Sequence, residues 1–353
     1  MNRKIIHCDA DCFFAAIEMR DNPNLRNRPM AVGGSADRRG VISTCNYEAR
    51  EYGIHSAMAS AHAMKLCPDL VIVPHRMEKY REASIVMREI FHNYTNLVEP
   101  LSLDEAYLDV SESTAFDGSA TRIAEEIRQK IYERLKITVS AGVSNSKFLA
   151  KVASDWQKPN GLFVITPAQV DSFVQQLPVS KIHGVGKVTT SKMNQLGIHT
   201  CLDLRQYDLV NLSNLFGSFG PRLYDLARGI DHREVKTSRV RKSLSVEHTY
   251  PVDLPDGEAC QKQIPILLDE LSNRLQRLGD GFYVSKAFVK VKFSDFSTTT
   301  LERAGTGPGL VDYEQLMIEA VSRKAKSVRL LGIGVRFGGL ETGNFQLDLF
   351  NHA

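Results

Sequence analysis

Two short apolar runs in this chain carry carboxylates where strands normally carry none. One is Ser102-Leu103-Asp104-Glu105-Ala106-Tyr107-Leu108-Asp109-Val110; the other is Ile5-Ile6-His7-Cys8-Asp9-Ala10-Asp11-Cys12-Phe13-Phe14. Asp and Glu are depleted in strands and are rarely buried without a partner. If the runs are neighbouring strands, Asp9, Asp104 and Glu105 converge. Like charges about 4 Å apart then cost roughly 4 kcal/mol per pair at an effective dielectric near 20. Divalent cations relieve that repulsion, and oxygen ligands suit Mg²⁺. Two such ions about 3.5–4 Å apart clamp the attacking and leaving oxygens of an in-line phosphoryl displacement. The plainer alternative is that these acids sit at strand ends and face water.

Other residues suit a nucleotide. Phe13 and Phe14 follow the first run directly. They either fill a core or hold an aromatic ring beside a sugar, where it would exclude a 2′-hydroxyl. Thr44, Tyr47 and Arg50 are spaced three apart, which places them on one helical face behind the caps Ser43 and Thr44. A hydroxyl, a phenol and a guanidinium at a helix N-terminus form a polyphosphate site; a solvated helix face is the alternative. Lys158 stands in a turn fixed by Pro159 and Gly161, placed to reach a phosphate or simply to face solvent. Ile182-His183-Gly184-Val185-Gly186-Lys187, followed by Leu196-Gly197-Ile198, lays out a helix-hairpin-helix. Gly184 and Gly186 would bring backbone N–H groups up to a nucleic-acid phosphate beside Lys187, without reading sequence. A looser echo runs from Leu215 to Gly220.

The elements that must position these residues alternate. Residues 4–18 predict a strand turning into a helix; period-2 alternation puts Asp9 and Asp11 on one face, and only one need be a ligand, leaving the other to cap the turn. Strands are expected at Met30–Gly33, Leu70–Pro74, Leu103–Val110 and Thr138–Val143. Helices are expected over Ala57–Pro68, over Tyr80–Tyr94 with Ile85, Ile90 and Phe91 buried, over Thr121–Leu135 with Ile123, Ile127 and Ile131 buried, and from Lys147. Residues 1–165 therefore read as α+β, a mixed or antiparallel sheet with helices on one face. Residues 166–229 turn helical, and the basic stretch 231–242, with Arg239 and Arg241, reads as a linker. A second α+β unit follows. In it Ala287, Val289, Val291 and Phe293 face inward while Lys286, Phe288, Lys290 and Lys292 share the outer face, a basic surface suited to a duplex backbone. The end of the chain carries Gln346, Leu347, Leu349 and Phe350 in a polar tail, a docking peptide for a partner's groove unless it folds back on its own domain.

Bulk properties set limits. At 353 residues the chain has room for two to four domains, and 43% hydrophobic residues permit real cores. A net charge of +3 and a pI of about 8.4 argue only weakly for nucleic acid, so local patches must carry that case. The absence of an apolar run of about 18 residues excludes a transmembrane helix. The N-terminal run, with His7, Cys8, Asp9 and Asp11, does not read as a signal peptide. No Cys pair has C-x-x-C spacing, which disfavours zinc and points to a reduced, cytoplasmic protein.

Taken together, H-C-D-A-D-C-F-F-A-A-I-E, S-T-C-N-Y-E-A-R, S-L-D-E-A-Y-L-D-V, S-A-G-V-S-N-S-K-F-L-A-K-V-A-S-D-W-Q-K-P-N-G and I-H-G-V-G-K resemble the motifs of the Y-family translesion DNA polymerases over essentially the whole chain. The resemblance implies a right-hand α+β multidomain fold: palm (1–12 and 75–165), small fingers (13–74), helical thumb (166–230), linker (231–242), little finger (243–340) and a tail (341–353). It implies two Mg²⁺ ions on Asp9, Asp104 and Glu105 with the carbonyl of Ala10, and a steric gate at Phe14. The incoming triphosphate would meet Phe13, Thr44, Tyr47, Arg50 and Lys158, and DNA would meet Gly184, Gly186, Lys187, Arg239, Arg241, Lys290 and Lys292. Gln346, Leu347, Leu349 and Phe350 resemble a sliding-clamp peptide. A monomer acting on primer-template DNA and dNTPs, inaccurate, tolerant of damaged templates and without proofreading, is the expectation; Asp11 is not expected to bind metal. His183 stands where the family usually has proline, and Ala10 where a larger residue is common. A nucleotidyl cyclase also sets two metals on paired carboxylates, but the helix-hairpin-helix and basic C-terminal sheet argue against it. Intact acids argue against a non-enzymatic DNA-binding or clamp-recruitment protein.

Overall fold

Alternation decides the first sheet. The structure, a computed structural model, describes residues 3–279, 281–305 and 309–338. It divides into two compact units, Met1–Gly34 with Val41–Ser238 and Ser35–Gly40 with Arg239–Ala353. In the first unit the chain runs β1 (Ile5–Ala10), α1 (Phe13–Asp21), β2 (Met30–Gly33), β3 (Ile42–Cys45), α2 (Tyr47–Glu51), α3 (Ser60–Leu66), β4 (Val71–Val73), α4 (Met77–His92), β5 (Val98–Pro100), β6 (Glu105–Asp109), α5 (Ala120–Leu135), β7 (Val139–Ser144), α6 (Lys147–Ser154) and β8 (Leu162–Val164). Five strands form one sheet in the order β5-β6-β1-β7-β8, antiparallel except for the β7–β8 pair, and β3-β2-β4 form a small second sheet. The mixed sheet expected from the sequence is present.

The two faces of the large sheet differ. Ile6, Cys8 and Ala10 of β1, Ala106 and Leu108 of β6, and Val139, Ala141 and Val143 of β7 enter one core with α4 and α5. Ile123, Ile127 and Ile131, four apart on α5, are wholly buried there. Burying each contributes on the order of 2 kcal/mol. Ile85, expected inside, is 55% exposed; Ile90 and Phe91 of the same helix are buried as expected. The opposite face carries His7, Asp9, Glu105 and Tyr107, and it is covered at one side by α6, so the helices are not confined to one face. Gly142 permits this contact: a Cβ there would stand 2.1 Å from the Ala150 carbonyl oxygen and 2.2 Å from the Ser154 nitrogen.

Five helices follow, α7 (Val170–Gln176), α8 (Lys187–Gln195), α9 (Cys201–Arg205), α10 (Leu209–Phe216) and α11 (Gly220–Leu226), around their own core. The stretch 231–242 has no helix or strand, yet its first half is fastened. Asp231 is buried, Val235 packs on Ile5, Tyr107 and Ala150, and Lys147 donates to the Glu234 carbonyl at 3.1 Å.

The second unit is built on an antiparallel sheet, β11-β10-β12-β9 in spatial order, from β9 (Ser243–Leu254), β10 (Val284–Phe293), β11 (Thr298–Ala304) and β12 (Val328–Phe337). The helices α12 (Gly257–Gln261), α13 (Ile264–Gln276) and α14 (Leu310–Ser322) complete it. Ala287, Val289, Val291 and Phe293 are buried in its core as alternation requires.

Candidate active site

Antiparallel pairing of β1 with β6 sets Asp9 directly opposite Glu105, and the Ala10 amide donates to the Asp104 carbonyl at 3.0 Å. The two carboxylate runs are thus neighbours. His7, Asp9 and Glu105 bring one ligand atom each within 4.8 Å of one another. The Asp104 carboxylate, at the strand's entry, is turned back to accept from the Ser102 hydroxyl at 2.5 Å. Two lysines meet the acids: Lys158 lies 2.7 Å from Asp9, and Lys151 is ion-paired with Glu105. His7, fully buried, stands 3.3 Å from Glu105 through Nε2 and bonds the Ser154 hydroxyl through Nδ1 at 2.8 Å.

These partners split the acids electrostatically. Burial pushes the Asp9 carboxyl up, and Lys158 only partly offsets this. Burial pushes Glu105 up as well, but the hydrogen bonds from His7 and Lys151 outweigh it and hold that carboxyl down to about 2. His7 is pushed down, chiefly by burial and against the pull of Glu105. Burial likewise pulls Lys158 down, yet the charge of Asp9 prevails and raises it.

A cavity of about 340 Å³ adjoins the acids, lined by Asp9, Ala10, Asp104, Phe13, Phe14, Thr44, Tyr47, Arg50 and Lys158, with Cys12, Ser43 and Ser56. The structure brings these residues to one cavity, with Glu105 opposite Asp9 but outside the lining, and with local differences from the expectation. Thr44 is in β3, not on the helix; the cap is Asn46, whose side chain accepts from the Ala49 amide at 3.1 Å, and the helix is only Tyr47–Glu51. Thr44 therefore reaches the cavity from β3, while Tyr47 and Arg50, three apart, reach it from α2. Arg50 lies over the Tyr47 ring at 4.5 Å. Phe14 stacks on Tyr80 with centroids 4.1 Å apart and planes 12° apart, and the Tyr80 hydroxyl donates to Glu18 at 2.6 Å. Such a stack adds about 0.5–1.5 kcal/mol and fixes the ring's position. Phe13, 2% exposed, is a core residue, so what it offers a ligand is the main chain of the first turn of α1.

The helix-hairpin-helix motif folds around a second cavity, about 760 Å³, lined by Val185, Gly186, Lys187 and Thr190 among others. Ile182 accepts from the Val185 amide at 2.9 Å and Gly184 has φ +101°. This is a tight turn with glycine at its third position; His183 occupies the second, which accepts proline without requiring it. On the second unit the outer face is less bare than its lysines suggest. Lys290 pairs with Glu247 at 2.7 Å, and Lys292 lies over the Phe296 ring at 4.9 Å. Arg239 and Arg241 are exposed, while Gln346, Leu347, Leu349 and Phe350 lie outside the described residues.

Comparison with known proteins fits this geometry. Residues 8–155 match the impB/mucB/samB family, 241–349 its C-terminal domain, and 180–231 the DNA polymerase-iota thumb domain. A DNA polymerase IV of Ectopseudomonas mendocina is 63% identical over 348 residues, 99% of each chain. The chain belongs to the Y-family DNA polymerases. Among solved structures, a chimera of the Y-family polymerases Dbh and Dpo4 matches with a TM-score of 0.86 at 28% identity, over 94% of this chain and 98% of that one. An insertion ternary complex of Dbh DNA polymerase matches at 0.64 and 28%, over 95% and 98%. A DNA-directed DNA polymerase with a thumb and a C-terminal little finger, expected from the motifs, is what the comparisons establish, and its kinship with bacterial DNA polymerase IV holds over the whole chain. Among the described residues no helix is long and apolar enough to cross a membrane.

The sequence reading missed Lys151, His7 and Ser154 behind Glu105, and Tyr80 with Glu18 behind Phe14. Lys151 lies four residues after Lys147 on a helix already expected; nothing local reveals which carboxylate it faces. Asp11 does not cap α1, whose first turn it precedes; it is 2% exposed and accepts bonds from other elements.

Proposed function

We propose that this polymerase extends a primer by two-metal phosphoryl transfer at the cavity beside Asp9, Asp104 and Glu105, with low fidelity and past damaged template bases. One observation carries the proposal: a single cavity joins the ends of the two acidic strands, an aromatic ring held on a rigid backing, and Tyr47, Arg50 and Lys158. The primer 3′-oxygen bonds to the α-phosphorus of a deoxynucleoside triphosphate, the bond to the bridging oxygen breaks, and pyrophosphate leaves. Tyr47, Arg50 and Lys158 bind the departing phosphates as donors. Phe14, braced by Tyr80, occupies the space a 2′-hydroxyl needs. The donor set is hard oxygen, which fits Mg²⁺: Asp9, Asp104, Glu105 and the Ala10 carbonyl would hold two ions, which supply charge neutralisation and a lowered pKa for the attacking hydroxyl.

Low fidelity rests on the fingers. Their separate core holds only eight buried residues, too small a body to enclose a templating pair tightly. We assign 1–12 and 75–165 to the palm, 13–74 to the fingers, 166–230 to the thumb, 231–242 to the linker and 243–340 to the little finger. DNA would follow Gly184, Gly186 and Lys187 and the basic residues Arg239, Arg241, Lys290 and Lys292. The tail 341–353 would dock a sliding clamp, and the protein would act as a monomer in the cytoplasm. The test is extension of a primed template carrying an abasic site, with dNTPs and Mg²⁺. Bypass that stops on adding a chelator supports the reading; stalling before every lesion contradicts it. Phe14→Ala should incorporate ribonucleotides at least ~10²-fold better relative to deoxynucleotides, since a buried steric exclusion is worth several kcal/mol; unchanged sugar selection removes the gate.

A further inference from the structure

Asp11 takes no part in the chemistry above, yet its buried carboxylate is bonded by three separate elements. Oδ1 accepts from the Ser140 hydroxyl on β7 at 2.7 Å and from the Tyr47 hydroxyl at the start of α2 at 3.4 Å; Oδ2 accepts from the Asn160 amide at 2.8 Å. Ser140 also accepts from the Gly161 amide at 3.2 Å. The turn that carries Lys158 is therefore fastened at two consecutive amides. Arg128 grips it from another side, donating to the Asn160 carbonyl at 2.5 Å and side-chain oxygen at 2.8 Å. Within the turn the backbone comes close to itself: a Cβ on Gly161 would stand 2.1 Å from the Gln157 carbonyl oxygen.

A carboxylate accepts and donates nothing, so it is the one short side chain that answers three donors at once. Those three bonds satisfy a buried polar group that would be costly to leave without partners. Its geometric effect is that Tyr47 and the Lys158 turn, on elements far apart in sequence, share one reference atom group.

We propose that Asp11 is a positioning residue that sets the Tyr47 hydroxyl and the Lys158 turn at one fixed spacing, so that both meet the triphosphate of the incoming nucleotide together. This rests on the reading of Tyr47 and Lys158 as triphosphate contacts. Asp11→Asn keeps the shape but turns an NH₂ toward donors. It should raise KM for dNTP about tenfold, leave kcat within about threefold, and leave the affinity for primed DNA unchanged. In a Tyr47→Phe/Lys158→Ala background the same substitution should change KM less than about twofold, because the contacts it sets are already gone. An equal KM penalty in both backgrounds, or a parallel fall in kcat and DNA affinity, makes Asp11 a merely structural group and overturns the proposal. If Tyr47→Phe/Lys158→Ala alone leaves KM unchanged, the triphosphate reading itself fails. If that pair raises KM and Asp11→Asn does not, only the positioning role fails. Ser140→Ala loosens Gly161 while the carboxylate keeps its bond to Asn160. It should repeat the pattern at smaller size, and it decides the matter should Asp11→Asn not fold.

Discussion

At the residue scale, the structure gives similar carboxylates different surroundings. Glu105 is held ionised by two donors, Asp9 sits in a drier setting against Lys158, and Asp104 leans on a serine. What the sequence disclosed here was residue type. Acids inside apolar runs are conspicuous because burial without partners is costly, so Asp9, Asp104 and Glu105 stood out from their place in the two runs. Their partners did not. Lys151 and His7 are ordinary residues of a helix and a strand, and only the register of β1 against β6 and the packing of α6 make them matter. Phe13 and Phe14 could not be told apart in sequence; adjacent positions on a helix face different ways, and the structure buries Phe13 in the core and leaves Phe14 only half-buried beside the cavity.

At the scale of elements, the contact of α6 on β7 holds the face that bears His7, Asp9 and Glu105 in shape. Gly142→Ala should destabilise the protein by at least about 2 kcal/mol, since the added carbon meets backbone atoms that cannot rotate away. Chemical denaturation would measure it, and a loss under about 0.5 kcal/mol would mean that the helix can shift. Asp231 ties the end of the helical region to the same α6. It accepts from the Phe148 amide at 2.9 Å and from Arg233 Nε at 2.7 Å. Burial pushes its carboxyl up, but the bonds from Arg233 and the Phe148 amide outweigh this and hold it below the usual range. A lowered folded pKa means the contribution is complete above the unfolded value near 3.9 and fades as pH falls through the folded one. Asp231→Asn should therefore be less stable than the parent at pH 7, with the gap closing below about pH 4 in thermal melts; a constant gap would exclude the carboxylate's charge as the cause. Strand and helix positions were largely legible where periodicity of two or near four appears, as in β10 and α5; β7 and β12, buried at nearly every position, were legible only as apolar runs. The small helix at Tyr47 was misjudged at its cap: Ser43 and Thr44 are good caps in isolation, but both lie in β3, where Thr44 pairs with Val32 of β2.

At the scale of the whole molecule, the sequence showed an enzyme unit and a second α+β unit joined by a basic stretch, and each unit has its own core. What it could not show is how far the basic residues are already engaged. Lys290 and Lys292 have neighbours of their own, whereas Arg239 and Arg241 are exposed. The expectation is that Arg239→Ala/Arg241→Ala weakens primed-DNA binding and lowers the slope of log K against log salt by up to about 2, one phosphate contact per arginine. Lys290→Ala should lower it less. Binding titrations from low to moderate salt would check this, and an unchanged slope would place the DNA elsewhere.

All three scales meet in the claim that the two acidic strand ends do the chemistry. The most direct measurement is single-nucleotide primer extension with Asp104→Asn at saturating dNTP and Mg²⁺, beside a titration showing that primed DNA still binds as in the parent. Extension slower by a factor of about 10³ or more, with DNA affinity intact, is the expected result. Extension near the parent rate would contradict the assignment of these carboxylates as the catalytic centre.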